Sequence, residues 1–97
     1  MKTFQDFYGF YLGEHSNRSC RRLHFIGTTI GLVCALHAIS TLNFWWLLGG
    51  IVQGYAWAWV GHYFFEHNRP ATFTHPFYSF LGDWAMWKDI LAGRIKF

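Results

Sequence analysis

The sequence predicts an all-α integral membrane protein: one helical hairpin of two transmembrane helices, with an amphipathic interfacial helix at each end. Three observations predict it. The composition is 53% apolar and 23% aromatic with only 13% charged residues, whereas soluble domains carry about 25% charge. Two segments, 23–42 and 44–65, hold no Asp, Glu, Lys or Arg, and each approaches the roughly 20 residues an α-helix needs to cross a bilayer. All eight Lys and Arg fall outside those segments: Lys2, Arg18, Arg21 and Arg22 before them, Arg69, Lys88, Arg94 and Lys96 after them.

The chain of 97 residues reads as a single membrane domain, 1–97, because a soluble core of that size would bury too little to support so apolar a surface. The first element is a helix over 4–13, where Phe4, Phe7, Tyr8 and Tyr11 recur at helical spacing and place one aromatic face in the headgroup plane. No cleavable signal peptide is expected, because the N-terminal stretch "MKTFQDFYGF" carries charge and aromatic residues where an apolar run should be. Transmembrane helices follow over 23–42 and 44–65, and the short connection "STLN", Ser40 to Asn43, makes them antiparallel. After the Pro- and Thr-rich stretch "NRPATFTHP", Pro76 opens a last interfacial helix over 76–92, with Phe77, Phe80, Leu81, Trp84, Trp87 and Leu91 near a 3.6 period and Gly93 ending it.

With every Lys and Arg at one end of the hairpin, both termini are expected in the cytoplasm, under the inner membrane of a bacterium or the endoplasmic reticulum of a eukaryote. The net charge of +3 is then explained by topology and anionic lipid headgroups. Membrane lipids are expected partners and nucleic acid is not; an oligomer is neither required nor excluded. Cys20 and Cys34 lie too far apart on one helix to bridge and are expected reduced.

Small residues repeat every four positions within the hairpin, as Gly27, Gly31 and Ala35 on the first helix and Gly50, Gly54 and Ala58 on the second. This arrangement lets two backbones approach in lipid, so the stripes should face each other. One turn beyond them stand His24 and His62, at the same membrane end. Near them fall two similar segments, "GEHSNRSCRRLH" (Gly13 to His24) and "FEHNRPATFTH" (Phe65 to His75). His15, His24, His62, His67 and His75 are therefore expected at one mouth, with Glu14, Glu66 and Asp83 nearby. His37 lies 13 residues beyond His24, about 20 Å along a helix. Such a set points to a metal, with Fe, Zn, Cu and Ni all suited to imidazole; the lack of H-E-x-x-H and Cys-x-x-Cys argues against a zincin or zinc ribbon. The competing reading is an interfacial cluster in which the histidines and Arg21, Arg22 and Arg69 bind lipid phosphates.

The blocks "YLGEHSNRSCRRLHFIGT" and "GHYFFEHNRPATFTHPFYSFLGDWAMWKDILAG" resemble the two signatures of a family of small membrane proteins formerly classed as a domain of unknown function. That family includes a fungal iron(II)-dependent dioxygenase acting on 2-hydroxy fatty acids in phytosphingosine metabolism. The resemblance implies a membrane enzyme that shortens 2-hydroxy fatty acids by one carbon, with Fe(2+) as cofactor and dioxygen as co-substrate. It implies His15, His24, His62, His67 and His75 as metal ligands, and Arg22, Arg69 and Glu66 as catalytic residues, a guanidinium suiting the substrate carboxylate. The reaction balances without added reductant: R-CHOH-COOH and O₂ give R-COOH, CO₂ and H₂O. The alternative is a non-catalytic haem- or lipid-binding small membrane subunit, two histidines being able to ligate haem axially.

Overall fold

A computed structural model describes residues 3–97, four α-helices with no strand among the described residues. Lys2, one of the cations expected to mark the N-terminal side, lies outside the described residues. Helix α1 (Phe4–Gly13) starts at Thr3, whose Oγ1 accepts from Asp6 N at 3.2 Å, a side-chain cap of a free helix-end amide. Helix α2 (Arg18–Thr41) is capped by Asn17, whose Oδ1 accepts from Ser19 N and Cys20 N at 2.9 and 3.3 Å. With the cap at Asn17, the helix begins five residues before the uncharged segment, so Arg18, Arg21 and Arg22 sit on its first turns. It ends at Leu42 in the left-handed region, φ 56°. At 24 residues it is long and apolar enough to cross a membrane.

The second hairpin arm departs from a continuous helix over 44–65. Helix α3 (Trp45–Val60) has 16 residues, about 24 Å at 1.5 Å per residue, and passes into a π-helical segment, Gly61–Glu66. Among the described residues, α2 alone meets the length and hydropathy of a span by itself. The widening occurs where the two arms pinch together: a Cβ on Gly61 would lie 3.0 Å from Cys20 Sγ and 3.1 Å from Cys20 Cα. The segment ends at His67 in the left-handed region, φ 58°.

The small-residue stripes face each other. A Cβ on Gly27 would stand 3.2 Å from Gly54 O, and one on Gly50 would stand 2.9 Å from Cys34 Cβ and 3.4 Å from Gly31 Cα. Gln53 ties the seam, its Nε2 donating to Gly27 O on the opposite helix and to Gly50 O on its own, both at 2.8 Å. The outer faces stay bare: Val33, Leu36, Ile39 and Val52 are each about 60% exposed.

The end helices pair with one another. Phe7 and Tyr11 of α1 are fully buried and pack with Met86 and Ile90 of α4 (Pro76–Leu91). The aromatic face expected in the headgroup plane is thus turned inward at these two positions. On α4 the buried line is Ser79, Gly82, Met86 and Ile90, while Phe77 and Leu91 of the aromatic stripe point outward, 69% and 61% exposed. Gly82 is required there, because a Cβ would sit 2.9 Å from the Tyr11 ring. Tyr8 donates to Asp89 at 2.6 Å, and Trp87 Nε1 donates to Thr29 Oγ1 at 2.9 Å, fixing α4 to α1 and to α2.

The seam contacts predict unequal effects at two glycines of one stripe. Gly50→Val should destabilise by about 1–3 kcal/mol through overpacking. Gly54→Ala, whose Cβ would meet only Gly27 O at 3.7 Å, should be neutral or stabilising by up to about 1 kcal/mol. Unfolding in detergent measures both, and equal losses would contradict this packing.

Candidate metal centre

The two Glu-His segments clamp each other. Glu66 accepts from Asn17 N and from Ser16 Oγ, the latter at 3.2 Å. In the opposite direction Asn68 Nδ2 donates to the Glu14 carboxylate and, at 3.1 Å, to the Glu14 carbonyl. Each carboxylate therefore holds the Asn that follows the other Glu-His pair. Arg21 braces the same loop by donating to His15 O at 3.1 Å and Ser16 O at 2.7 Å.

Within these clamps stand three buried imidazoles, His15, His24 and His62. Their ring centroids are 4.3 Å (His15 and His24), 4.5 Å (His15 and His62) and 5.0 Å (His24 and His62) apart, with ring planes near perpendicular. Each Nδ1 is used as a donor. His15 Nδ1 donates to Tyr11 O at 2.7 Å and His24 Nδ1 to Cys20 O at 3.0 Å. His62 Nδ1 donates to Asn68 Oδ1 at 2.7 Å, since the Asn68 amide nitrogen is directed at Glu14. Carbonyl-type acceptors on all three Nδ1 atoms fix the Nε2-unprotonated tautomer, which is how proteins orient metal-binding histidines.

The consequence is a buried gathering of lone pairs. His15 Nε2 and His24 Nε2 lie 3.0 Å apart with no proton between them in these tautomers. Protonation does not supply one at His15, because burial, followed by the charges of His24 and His62, holds its imidazole well below the ordinary histidine range. A cation does fit. Metal–nitrogen bonds of about 2.1 Å place two imidazoles at right angles about 3.0 Å apart. Cys20 joins the group, the four ligand atoms lying within 4.8 Å of one another. The sequence reading missed Cys20 as a neighbour of the site, although its i, i+4 spacing to His24 was visible.

The other expected residues lie elsewhere. His67 is exposed and serves as the left-handed end of the π segment. His75 is half-buried against Phe7 at 5.4 Å, its Nδ1 2.9 Å from Thr74 Oγ1. Neither belongs to the gathered group. Arg22 and Arg69 are exposed and lie over Phe97 and Phe73, each 5.1 Å from the ring. Glu66 reaches Asn17 and Ser16, not the imidazoles. His37 packs edge-on against Trp46 at 4.6 Å near the hairpin turn.

Tyr11 and Asp83 connect the cluster to a cavity. The Tyr11 ring stacks on His15 at 4.0 Å, and its hydroxyl donates to Asp83 Oδ1. Burial pushes the Asp83 carboxyl up to about 7, against the lowering effect of the Tyr11 hydrogen bond. Burial, reinforced by the Asp83 charge, holds the Tyr11 phenol well above its ordinary value. Asp83 and His24 both line a cavity of about 290 Å³ that continues along the α2–α3 seam.

Fold and site together define an all-helical protein with a buried histidine–cysteine group able to bind a metal ion. The family model described as "2-hydroxy-palmitic acid dioxygenase Mpo1-like" matches residues 1–95, and the chain belongs to that family. No curated protein and no solved structure matches the chain.

Two outcomes follow from this geometry. Asn68→Ala removes the acceptor of His62 Nδ1 and one clamp, and should lower metal affinity by about 10–100-fold, read by competition with a chelator. Asp83 has a folded pKa raised from 3.8 to about 7. Its stabilising contribution is therefore complete below the unfolded value and is lost as pH rises through the folded one. Asp83→Asn should shrink the loss of thermal stability between about pH 5 and about pH 8; an unchanged difference would contradict the buried carboxyl.

Proposed function

We propose that this chain is an iron(II)-dependent dioxygenase that removes one carbon from 2-hydroxy fatty acids at a membrane surface. The observation that carries this reading is the convergence of three tautomer-fixed imidazoles, His15, His24 and His62, beside an apolar cavity, in a chain whose family is described as a 2-hydroxy-palmitic acid dioxygenase. Imidazole donors suit iron among several metals. Centroids 4.3–5.0 Å apart leave no gap for a macrocycle between two rings, which favours a non-haem centre over a haem-binding subunit.

His15, His24 and His62 would hold the iron, which when bound supplies a spin-accessible route between dioxygen and a closed-shell acid. The chain's own residues do the positioning. The Glu14–Asn68 and Glu66–Asn17 clamps fix the imidazoles, so Glu66 acts through Asn17 and not on the reacting atoms. Asp83, held by Tyr11 and bordering the cavity, is placed to accept the proton of the substrate hydroxyl. Arg22 and Arg69, engaged with Phe97 and Phe73, would have to leave those rings to meet the carboxylate.

The bare apolar faces of α2 and α3 are read as lipid-facing, because exposed apolar surface on this scale is otherwise an aggregation liability. The hairpin then enters the membrane from the side that carries Lys and Arg, with both termini cytoplasmic.

The test is iron content together with O₂ uptake on 2-hydroxypalmitate, using anaerobically purified protein in detergent. His15→Ala, His24→Ala and His62→Ala should each lose iron by more than the 10–100-fold expected for an outer partner. His37→Ala, His67→Ala and His75→Ala should keep it. Retention of iron and turnover by the first three variants would end the proposal.

A further inference from the structure

The cavity beside the imidazoles has a polar end and an apolar end. His24, Thr28, Tyr55 and Asp83 provide its polar lining, all toward the imidazoles. Farther along the seam the wall is apolar: Gly31 and Ala35 on α2, Leu47, Gly50 and Ile51 on α3. From His24 to Ala35 is about 16 Å along α2 at 1.5 Å per residue, the length of roughly a dozen methylenes. The trough exists because glycine and alanine leave the flanks of the contact unfilled where the backbones meet. Phe80 and Trp84 of α4 border the polar end.

We propose that this trough holds the acyl chain of the substrate, its oxidised head at His24 and Asp83, and that Ala35 and Leu47 at the far end set the longest chain accepted. The identity of the head group rests on the dioxygenase reading above; the location of the chain rests on the cavity. The aromatic surface of Phe64 and Phe77 is the competing location. It is 71% and 69% exposed and forms no part of the trough lining. A bilayer lipid tail has the same chemistry as the substrate tail and must be distinguished from it.

Ala35→Trp would fill the far end. The ratio of kcat/KM for 2-hydroxypalmitate over 2-hydroxyoctanoate should fall at least tenfold relative to the unaltered protein, and an unchanged ratio overturns the proposal. A second measurement does not depend on that variant folding or on turnover. The iron-loaded protein in lipid nanodiscs is labelled with a fatty acid bearing a chain-terminal diazirine, and the adducts are mapped by mass spectrometry. Adducts at 31–35 and 47–51 that diminish when 2-hydroxypalmitate is added support the trough as the substrate's site. Adducts there that persist at saturating 2-hydroxypalmitate assign it to bilayer lipid and overturn the proposal, as do adducts confined to Phe64 and Phe77. Oxygen uptake with labelling elsewhere would sink the trough and spare the dioxygenase; displaceable labelling in the trough with no oxygen uptake would do the reverse.

Discussion

The contact between α2 and α3 is the constraint from which the site follows. Its glycines bring the backbones so close that a Cβ on Gly27 would stand 3.3 Å from Gly54 Cα, and nearer the mouth the same approach puts the His24 and His62 rings 5.0 Å apart. On the proposed membrane reading the hydrophobic effect would contribute little between these helices, so packing and interhelical hydrogen bonds would have to hold the seam. Gln53 provides one of those bonds by donating to Gly27 O. A wider contact would leave two histidines on separate helices with nothing in common.

Proximity alone would not make a site, because an imidazole can present either nitrogen. The repeated Glu-His segments resolve that choice. Glu14 fixes the Asn68 amide, the Asn68 oxygen fixes the His62 tautomer, and Glu66 fixes the backbone at Asn17, whose side chain starts α2. Hydrogen bonds to charged acceptors of this kind contribute about 1.5–3 kcal/mol each. They join the loop before α2 to the segment after α3, which is what a hairpin mouth needs if it is not to fray. The π-helical turn at Gly61–Glu66 belongs to the same construction, since its carbonyl at His62 accepts from both His67 N and Asn68 N.

The sequence made the facing stripes, the central pair His24 and His62, and the exclusion of His37 readable, because each depends on spacing along a helix. It did not separate His15 from His67 and His75. All three follow or precede similar residues, and only the folded loop shows that His67 takes the left-handed position while His75 turns toward Phe7. The face of α1 was misread for a related reason, while on α4 the aromatic stripe stays exposed at Phe77, Phe80, Leu81 and Leu91. In an apolar environment a 3.6 period marks an apolar face without saying whether lipid or protein covers it. On α4 the protein-facing line is the one with Ser79 and Gly82, small enough to admit the Tyr11 ring. The π turn has no periodic signature at all, since it changes the helix by a single residue.

On the proposed reading, the charge balance of the centre also bears on what it accepts. Three neutral imidazoles contribute no negative charge, Cys20 contributes none while its thiol stays protonated, and the nearest clamping carboxylates, Glu14 and Glu66, are directed at asparagine amide N–H groups and the Ser16 hydroxyl instead. A doubly charged ion there would remain largely uncompensated in surroundings where an unpaired charge is expensive. An anion arriving through the cavity would relieve that imbalance, and a 2-hydroxy carboxylate offers both the charge and two oxygens for chelation. Asp83 would complement this arrangement because burial pushes its carboxyl up to about 7, so it would not supply a full competing negative charge where a substrate carboxylate would sit. On this reading the uncompensated ion, against the cost of desolvation, would favour an anionic head, while that same desolvation leaves Asp83 able to exchange a proton with it.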